Sequence, residues 1–175
     1  MDRGRTLRSS RRSSALALDP ASVWAVAASG EDGPQWYVDA APFAFRRAID
    51  RLALGPALKR RPPGRPLLET GDEAGFWRVV EADHDAHRLT LQAIVRAPGT
   101  VTLEVVVHPD DAGSRLELVV AFAPRGVLGT AYLLADLPAR EALTELVMLH
   151  VLTVVRRHEA GARDNRSWPR AVDQV

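Results

Sequence analysis

The chain of 175 residues lacks cysteine, and Lys59 is the one lysine among its 23 basic residues. Without cysteine, neither disulfides nor thiolate chemistry can contribute to the fold or the function, and an intracellular location is allowed. The formal net charge of +1 shows no excess of basic residues. Proteins that bind nucleic acid usually carry such an excess, so we expect no nucleic acid as the main partner. We expect a cytoplasmic protein.

Long apolar runs and an export signal are also missing. No run reaches the roughly 18 uncharged residues that a membrane span requires. The longest candidate, residues 142–155, contains Glu145 and His150. The basic N-terminal lead, residues 1–12, has five arginines but lacks the apolar core of a secretory signal. An Arg/Ser-rich start is also typical of a transit peptide or a nucleic-acid arm, but we favour an irregular lead into a first strand near 13–18.

Motifs for familiar chemistry are absent as well. The chain has no G-x-G-x-x-G, P-loop or G-x-S-x-G sequence, so nucleotide binding and hydrolysis have no motif to support them, and no cofactor is implied. The segment "EADHDAH" brings Asp83, His84, Asp85 and His87 together, but their spacing matches no established ligand signature. We interpret it as a polar turn and expect no metal. The basic stretch "LKRRPPGR" has no interleaved aromatic residues and is interpreted as a solvated loop.

The first half of the chain predicts helices separated by turns. Asp19 is typical of an N-cap and is followed by a proline, which predicts a short helix that ends at Gly30. Residues 31–40 then predict a Gly-Pro turn and a brief extended piece. An amphipathic helix is predicted over 42–55. Residues 56–72 are rich in proline, glycine and basic residues, and predict an irregular surface connection.

From Gly75 onward the hydrophobic period changes to two, as in strands. Four runs are separated by connections of hairpin length, and they predict four consecutive antiparallel strands: "GFWRVVEAD", "RLTLQAIVR", "TVTLEVVVH" and "SRLELVVAF". Alternation places one set of apolar side chains on a common, covered face: Leu89, Leu91, Ala93, Val95, Leu103, Val105, Val107, Leu116, Leu118 and Val120.

A long apolar segment after the sheet predicts its cover. Spacings of three and four residues define a helical stripe of about six turns, made of Leu143, Leu146, Val147, His150, Val151 and Val154. Pro138 fits the first turn of this helix and Gly161 its end. Residues 126–137 predict a helical lead-in. These elements indicate an α+β fold in one domain, residues 13–160, with the helix across a concave sheet and a cavity beneath it, followed by a loose tail, 161–175.

Several segments resemble a bacterial group of uncharacterised domains. The similarity spans roughly residues 29 to 157 and rests on "DGPQWYVDAAPFAFRRAIDRLALG", "GFWRVVEAD", "LTLQAIVRAPGTVTLEVVV" and "VAFAPRGVLGTAYLLADLP". The matching positions, none with a known role, are Trp77, Arg78, Pro124, Arg125, Gly126, Gly129 and Tyr132. The chain departs from the pattern at Leu133 and at residues 138–140, where the group has tryptophan and a proline-phenylalanine-histidine.

The resemblance implies a START-like, polyketide-cyclase-like helix-grip fold, in which an antiparallel sheet wraps round a long C-terminal helix and encloses an apolar cavity. It also implies a partner, because members of the group occur fused to NAD(P)-binding short-chain-dehydrogenase-like domains. Such a domain is absent from this chain, so the partner would be a separate protein. We further expect the sheet edges to be covered by the N-terminal strand or by a second copy in a homodimer.

Four residues are candidate ligand-binding residues: Trp77, Arg125, Tyr132 and His150. His150 is the ionisable group in the stripe, and it is either a core histidine, with Glu104 or Tyr132 as partner, or a cavity residue that orients a ligand or moves a proton. Trp77 is expected inward, as packing or cavity wall, with Arg78 outward. Arg125 follows a strand end, or clamps a ligand carboxylate.

Three functions remain open at this point. We favour binding of a small hydrophobic or amphipathic ligand between the sheet and the C-terminal helix. The alternatives are a module that docks an NAD(P)-binding protein and a cyclase-like enzyme that uses His150.

Overall fold

An antiparallel sheet and a long C-terminal helix form most of the part of the chain that the computed structural model describes, which is residues 9–32, 35–39, 60–94, 99–124 and 137–167. The strands are β1 Ser9–Leu16, β2 Ser29–Gly30, β3 Arg65–Leu67, β4 Glu73–Ala74, β5 Trp77–Asp83, β6 Arg88–Ala93, β7 Gly99–Asp110 and β8 Gly113–Pro124. The helices are α1 Pro20–Ala27, α2 Trp36–Asp39 and α3 Leu137–Ser167. The predicted α+β helix-grip architecture is confirmed.

Six strands form the main sheet in the order β1-β8-β7-β6-β5-β4, and β2 pairs with β3 in a second small sheet. The four predicted strands are confirmed as β5 to β8. The N-terminal strand closes one edge, because β1 pairs antiparallel with β8 from Ser9↔Ala121 to Leu16↔Ser114. This strand begins at Ser9, earlier than the predicted Ser13, so part of the basic lead belongs to the sheet.

The inner face of the sheet is the apolar face that the alternation predicts. Nine of the ten predicted side chains lie in described segments, and all nine are buried: Leu89, Leu91, Ala93, Leu103, Val105, Val107, Leu116, Leu118 and Val120. Val95 lies outside the described residues. Because consecutive side chains of a strand point to opposite faces, burial of one set fixes the register of the whole sheet.

Helix α1 begins where the sequence predicts and ends earlier. The N-cap carboxylate of Asp19 accepts a hydrogen bond from the Ser22 backbone N–H at 2.9 Å, and bonding to Ser22 lowers the pKa of Asp19. The cap therefore stabilises the fold above the unfolded pKa of the carboxyl, and this contribution is lost as the pH falls through the folded pKa. The predicted end at Gly30 is wrong, because residues 29–30 leave the helix to pair with β3.

Two other predictions in the first half need correction. Residues 36–39 form the single helical turn α2 rather than an extended piece. The connection 56–72, predicted to be irregular, contains β3 and a bridge from Arg60 to Gly75. The predicted helix over 42–55 and the lead-in over 126–137 lie outside the described residues, apart from Leu137 at the start of α3.

Helix α3 is longer than predicted and is rotated relative to the predicted stripe. It runs to Ser167, past Gly161. Its buried residues are Thr144, Val147, Met148, Val151, Leu152 and Val155. Leu146 is 44% exposed, so its place in the inward stripe is wrong. The side chain of Leu143 is outside the described ones. Among the described residues, no helix is long and apolar enough to cross a membrane.

Candidate functional site

The long helix is fixed to the edge of the sheet by a polar clamp, defined as Ser10, Arg12, Glu141 and Glu145. Arg12 Nε lies 2.7 Å from a Glu145 carboxylate oxygen, and Arg12 Nη2 lies 2.9 Å from Glu141. The Ser10 hydroxyl donates to the same Glu141 carboxylate. Hydrogen bonds to the two carboxylates raise the pKa of Arg12. The clamp therefore joins the N-terminal half of α3 to β1.

We expect Arg12→Ala to lower the free energy of unfolding by about 0.5–1 kcal/mol, because the pairs are partly exposed and water screens them. The loss should shrink in concentrated salt. Urea unfolding at low and high ionic strength measures both effects. Arg11→Ala is the matched control, since Arg11 forms a single pair with Glu117 and its side chain is 67% exposed. An equal loss in both variants would mean that the clamp adds nothing beyond an ordinary surface pair.

His150 lies beside the interface between α3 and the sheet. It is nine residues beyond Glu141, two and a half turns at 3.6 residues per turn, so it projects from the side of α3 opposite Glu141. Its side chain is half-buried, and it makes no hydrogen bond within the described part of the chain. His150 lies to one side of the buried line of α3, which passes through Val147 and Val151, and its predicted role as a ligand-binding residue stays a prediction.

Of the two partners predicted for His150, the one that the structure describes, Glu104, lies away from it. The carboxylate of Glu104 pairs with the Arg88 guanidinium. In β7, Glu104 alternates with the buried Leu103 and Val105, so it lies on the outer face of the sheet. The other predicted partner, Tyr132, lies outside the described residues, as does Arg125.

Trp77 is buried, and its indole N–H donates to the Tyr37 carbonyl at 2.8 Å. Its ring centroid lies 4.7 Å from that of Phe76. Arg78 is exposed and pairs with Glu73 at 2.7 Å. The predicted orientation, with Trp77 inward and Arg78 outward, is confirmed. Trp77 therefore joins β5 to α2, and of the two candidate residues that the structure describes, Trp77 and His150, it is the one in the core.

Sequence reasoning missed the aromatic residues of α2. Trp36 is buried and donates its indole N–H to the Ala27 carbonyl at 2.9 Å. The Tyr37 hydroxyl donates to the Ser29 carbonyl at 2.8 Å. These bonds hold α2 against the end of α1 and the start of β2. The adjacent pair Trp36-Tyr37 was a signal for this role, because aromatic side chains supply large buried areas.

Residues 84–87 of "EADHDAH" form the predicted turn between β5 and β6, whereas residues 81–83 belong to the end of β5. The Asp83 carboxylate accepts a hydrogen bond from the Ala86 N–H at 2.9 Å, which is ordinary turn chemistry. Among the residues that the structure describes, no group of three or more histidine or acidic residues is arranged to hold a metal ion.

A family model described as "Protein of unknown function (DUF2867)" matches residues 6–146. The chain belongs to the DUF2867 family. The match extends from just before β1 into α3, so the DUF2867 region includes the whole main sheet and the clamp. No protein with curated annotation matches the sequence.

Several solved structures are similar to this DUF2867 chain. A protein from Rhodobacter sphaeroides is 16% identical, with 86% of this chain and 93% of that chain covered and a TM-score of 0.48. Zhui aromatase/cyclase from Streptomyces sp. R1128 is 16% identical, with 86% and 94% covered and a TM-score of 0.45. Norcoclaurine synthase from Thalictrum flavum is 12% identical, with 81% and 85% covered and a TM-score of 0.40.

Proposed function

We propose that this protein binds a small hydrophobic or amphipathic molecule between the inner face of the sheet and α3. The observation that carries the proposal is the unequal extent of these two surfaces. The inner face is apolar from Val79 on β5 to Val120 on β8. The most extensive contacts of α3 with the main sheet are with β1 and β8, at one side of it. Apolar side chains on β5 to β7 are buried beyond the strands that α3 contacts most, and α1 packs on β7, so we place the ligand between this part of the inner face and α3.

Two described residues have the chemistry to orient such a ligand. His150 is a half-buried hydrogen-bonding group on the flank of α3 away from β1. Trp77 contributes an indole ring at the start of β5, and its N–H is held by the Tyr37 carbonyl. Arg125 and Tyr132, which lie outside the described residues, are proposed as further members of the site. Arginine would pair with a carboxylate of an amphipathic ligand.

Native mass spectrometry of the purified protein, followed by denaturing extraction, tests the proposal. We expect an apolar molecule to be released from the wild type and its occupancy to fall about tenfold in His150→Ala, if one hydrogen bond of about 1.4 kcal/mol is lost. His158→Ala is the control, because His158 is exposed on the same helix. A wild type that carries nothing and shows no thermal shift with varied apolar ligands contradicts the proposal.

We propose that a reaction at this site would use His150 as its acid-base group. A cyclase-like enzyme is therefore proposed as the catalytic form of the same site. Unchanged turnover of the identified ligand in His150→Ala would remove this role from His150.

Docking to an NAD(P)-binding short-chain-dehydrogenase-like protein is the alternative that the family resemblance supplies. It predicts a stable complex when the two proteins are mixed, with no ligand required. Size-exclusion chromatography of the mixture and of the chain alone distinguishes this complex from a homodimer. Independently of its partner, we propose a cytoplasmic location for the protein.

A further inference from the structure

Helix α1 meets the turn between β5 and β6 at a seam formed by three aromatic rings. Trp24 of α1 is 4% exposed. Its ring centroid lies 5.9 Å from that of His84, in an edge-on arrangement, and 5.4 Å from that of His87. We call Trp24, His84 and His87 the seam cluster. The seam is held by ring contacts between two elements that are separate in the sequence.

Two nitrogen atoms of the seam cluster are buried without a hydrogen-bond partner: Trp24 Nε1 and His84 Nδ1. The other two tryptophans of the described residues differ, because the N–H groups of Trp36 and Trp77 both donate to backbone carbonyls. A buried polar group without a partner destabilises the state that buries it. Opening the seam would give both nitrogens water as a partner, so the closed state is penalised at this place.

The backbone of the turn adds to this penalty. His87 has a φ of 49°, and it is the one non-glycine residue with positive φ in the described segments. This left-handed conformation costs free energy for a residue with a side chain, although histidine tolerates it better than most. Contacts of the closed turn must hold it. One of these is the bond from the Val107 N–H to the His87 carbonyl, at 3.0 Å.

We propose that the turn formed by residues 84–87 is a movable closure, which swings away from Trp24 and admits ligand to the inner face of the sheet. The position of the seam supports this role. Leu89, two residues beyond His87, and Val107, which bonds to it, both belong to the buried inner face. Displacement of the turn therefore uncovers the apolar surface assigned above to the ligand. The opening itself is independent of that assignment, while its role as an entrance rests on the proposed function.

Hydrogen exchange of the indole N–H groups, followed by NMR, measures the opening in the wild-type protein. The indole N–H of Trp24 should exchange at least about tenfold faster than those of Trp36 and Trp77, since local opening needs less free energy than global unfolding. In His84→Leu, an apolar side chain replaces the unpartnered imidazole, and exchange at Trp24 should slow by about fivefold or more. Equal protection of all three indoles in the wild type overturns the proposal, whether or not the variant folds.

Stopped-flow binding of the fluorescent probe anilinonaphthalene sulfonate tests the role as an entrance. If the probe enters and leaves through the same closure, His84→Leu should lower its association and dissociation rates by the same factor. The Kd of the probe should then stay nearly unchanged. His158→Leu, at an exposed position of α3, should leave both rates as in the wild type. Fast exchange of the Trp24 indole without any probe binding would support the opening of the turn but contradict the proposed ligand binding. Probe binding with unchanged rates in His84→Leu would contradict the entrance.

Discussion

Replacement of Gly113 by alanine should destabilise the protein by about 3–5 kcal/mol, because left-handed strain and overpacking act at the same position. Gly113 begins β8 directly after the two-residue turn that follows β7, and its φ is +131°. A Cβ atom at this position would lie 2.6 Å from the Leu16 carbonyl oxygen, and 2.7 and 2.8 Å from the backbone oxygen and nitrogen of Leu18. All three contacts are with backbone, so the chain between β1 and α1 must move.

Gly71→Ala is the matched control for this prediction. Gly71 also has a positive φ, +98°, but a Cβ atom there would meet nothing within 4 Å. Its loss of stability should therefore be only the backbone strain, about 1–2 kcal/mol. Urea unfolding of the two variants separates the two terms, since the difference between them measures the cost of the close approach. Equal losses would show that the contact of the turn with residues 16–18 is not needed for stability.

The faces of the sheet could be predicted from the sequence because one physical rule decides them. In β6, and in the first parts of β7 and β8, each apolar residue follows a more polar one, and a strand turns consecutive side chains to opposite faces. Alternation therefore places Leu89, Leu103 and Leu116 on the inner face of the sheet. Turn residues such as Gly113 likewise set the lengths of the hairpins through their local backbone preferences.

The inward face of α3 was harder to predict because both faces of this helix carry leucine. Leu146 and Leu149 are 44% and 52% exposed, whereas Val147 and Met148 between them are buried. Hydrophobicity alone does not distinguish these positions. Contacts with distant parts of the chain accompany the observed rotation: Glu141 and Glu145 pair with Arg12, so that flank of α3 lies toward β1. Such a pairing joins residues about 130 positions apart and leaves no local signal in the sequence.

Only part of the candidate site could be predicted, because its other contacts also join residues that are distant in the sequence. The burial of Trp77 follows from alternation within β5, but its bond to Tyr37 spans 40 residues and depends on the short helix α2. A helix of four residues is below the length at which hydrophobic periodicity can be recognised. The seam cluster likewise joins α1 to a turn, and "EADHDAH" by itself reveals nothing of Trp24.

Trp77→Ala should lower the free energy of unfolding by about 3–5 kcal/mol, the usual range for removal of a large buried aromatic side chain. Trp77 is 5% exposed, and its loss would leave a cavity between β5 and α2 next to Phe76. It would also remove the indole donor from the Tyr37 carbonyl. Urea unfolding measures the loss. A cost below about 1 kcal/mol would mean that the site collapses around the cavity and that α2 is not held by this residue.

A comparison of Trp77→Phe with Trp36→Phe separates structure from ligand binding at this position. Both substitutions keep an aromatic ring and remove an indole N–H that donates to a backbone carbonyl, at 2.8 Å for Trp77 and 2.9 Å for Trp36. Each should therefore cost a similar 1–2 kcal/mol, by the rough value of one buried hydrogen bond. If Trp77 also contacts the ligand, only Trp77→Phe weakens binding of anilinonaphthalene sulfonate, because Trp36 bonds back to α1 and is 1% exposed. Equal probe affinity in both variants would restrict Trp77 to the core and leave His150 as the described residue that meets the ligand.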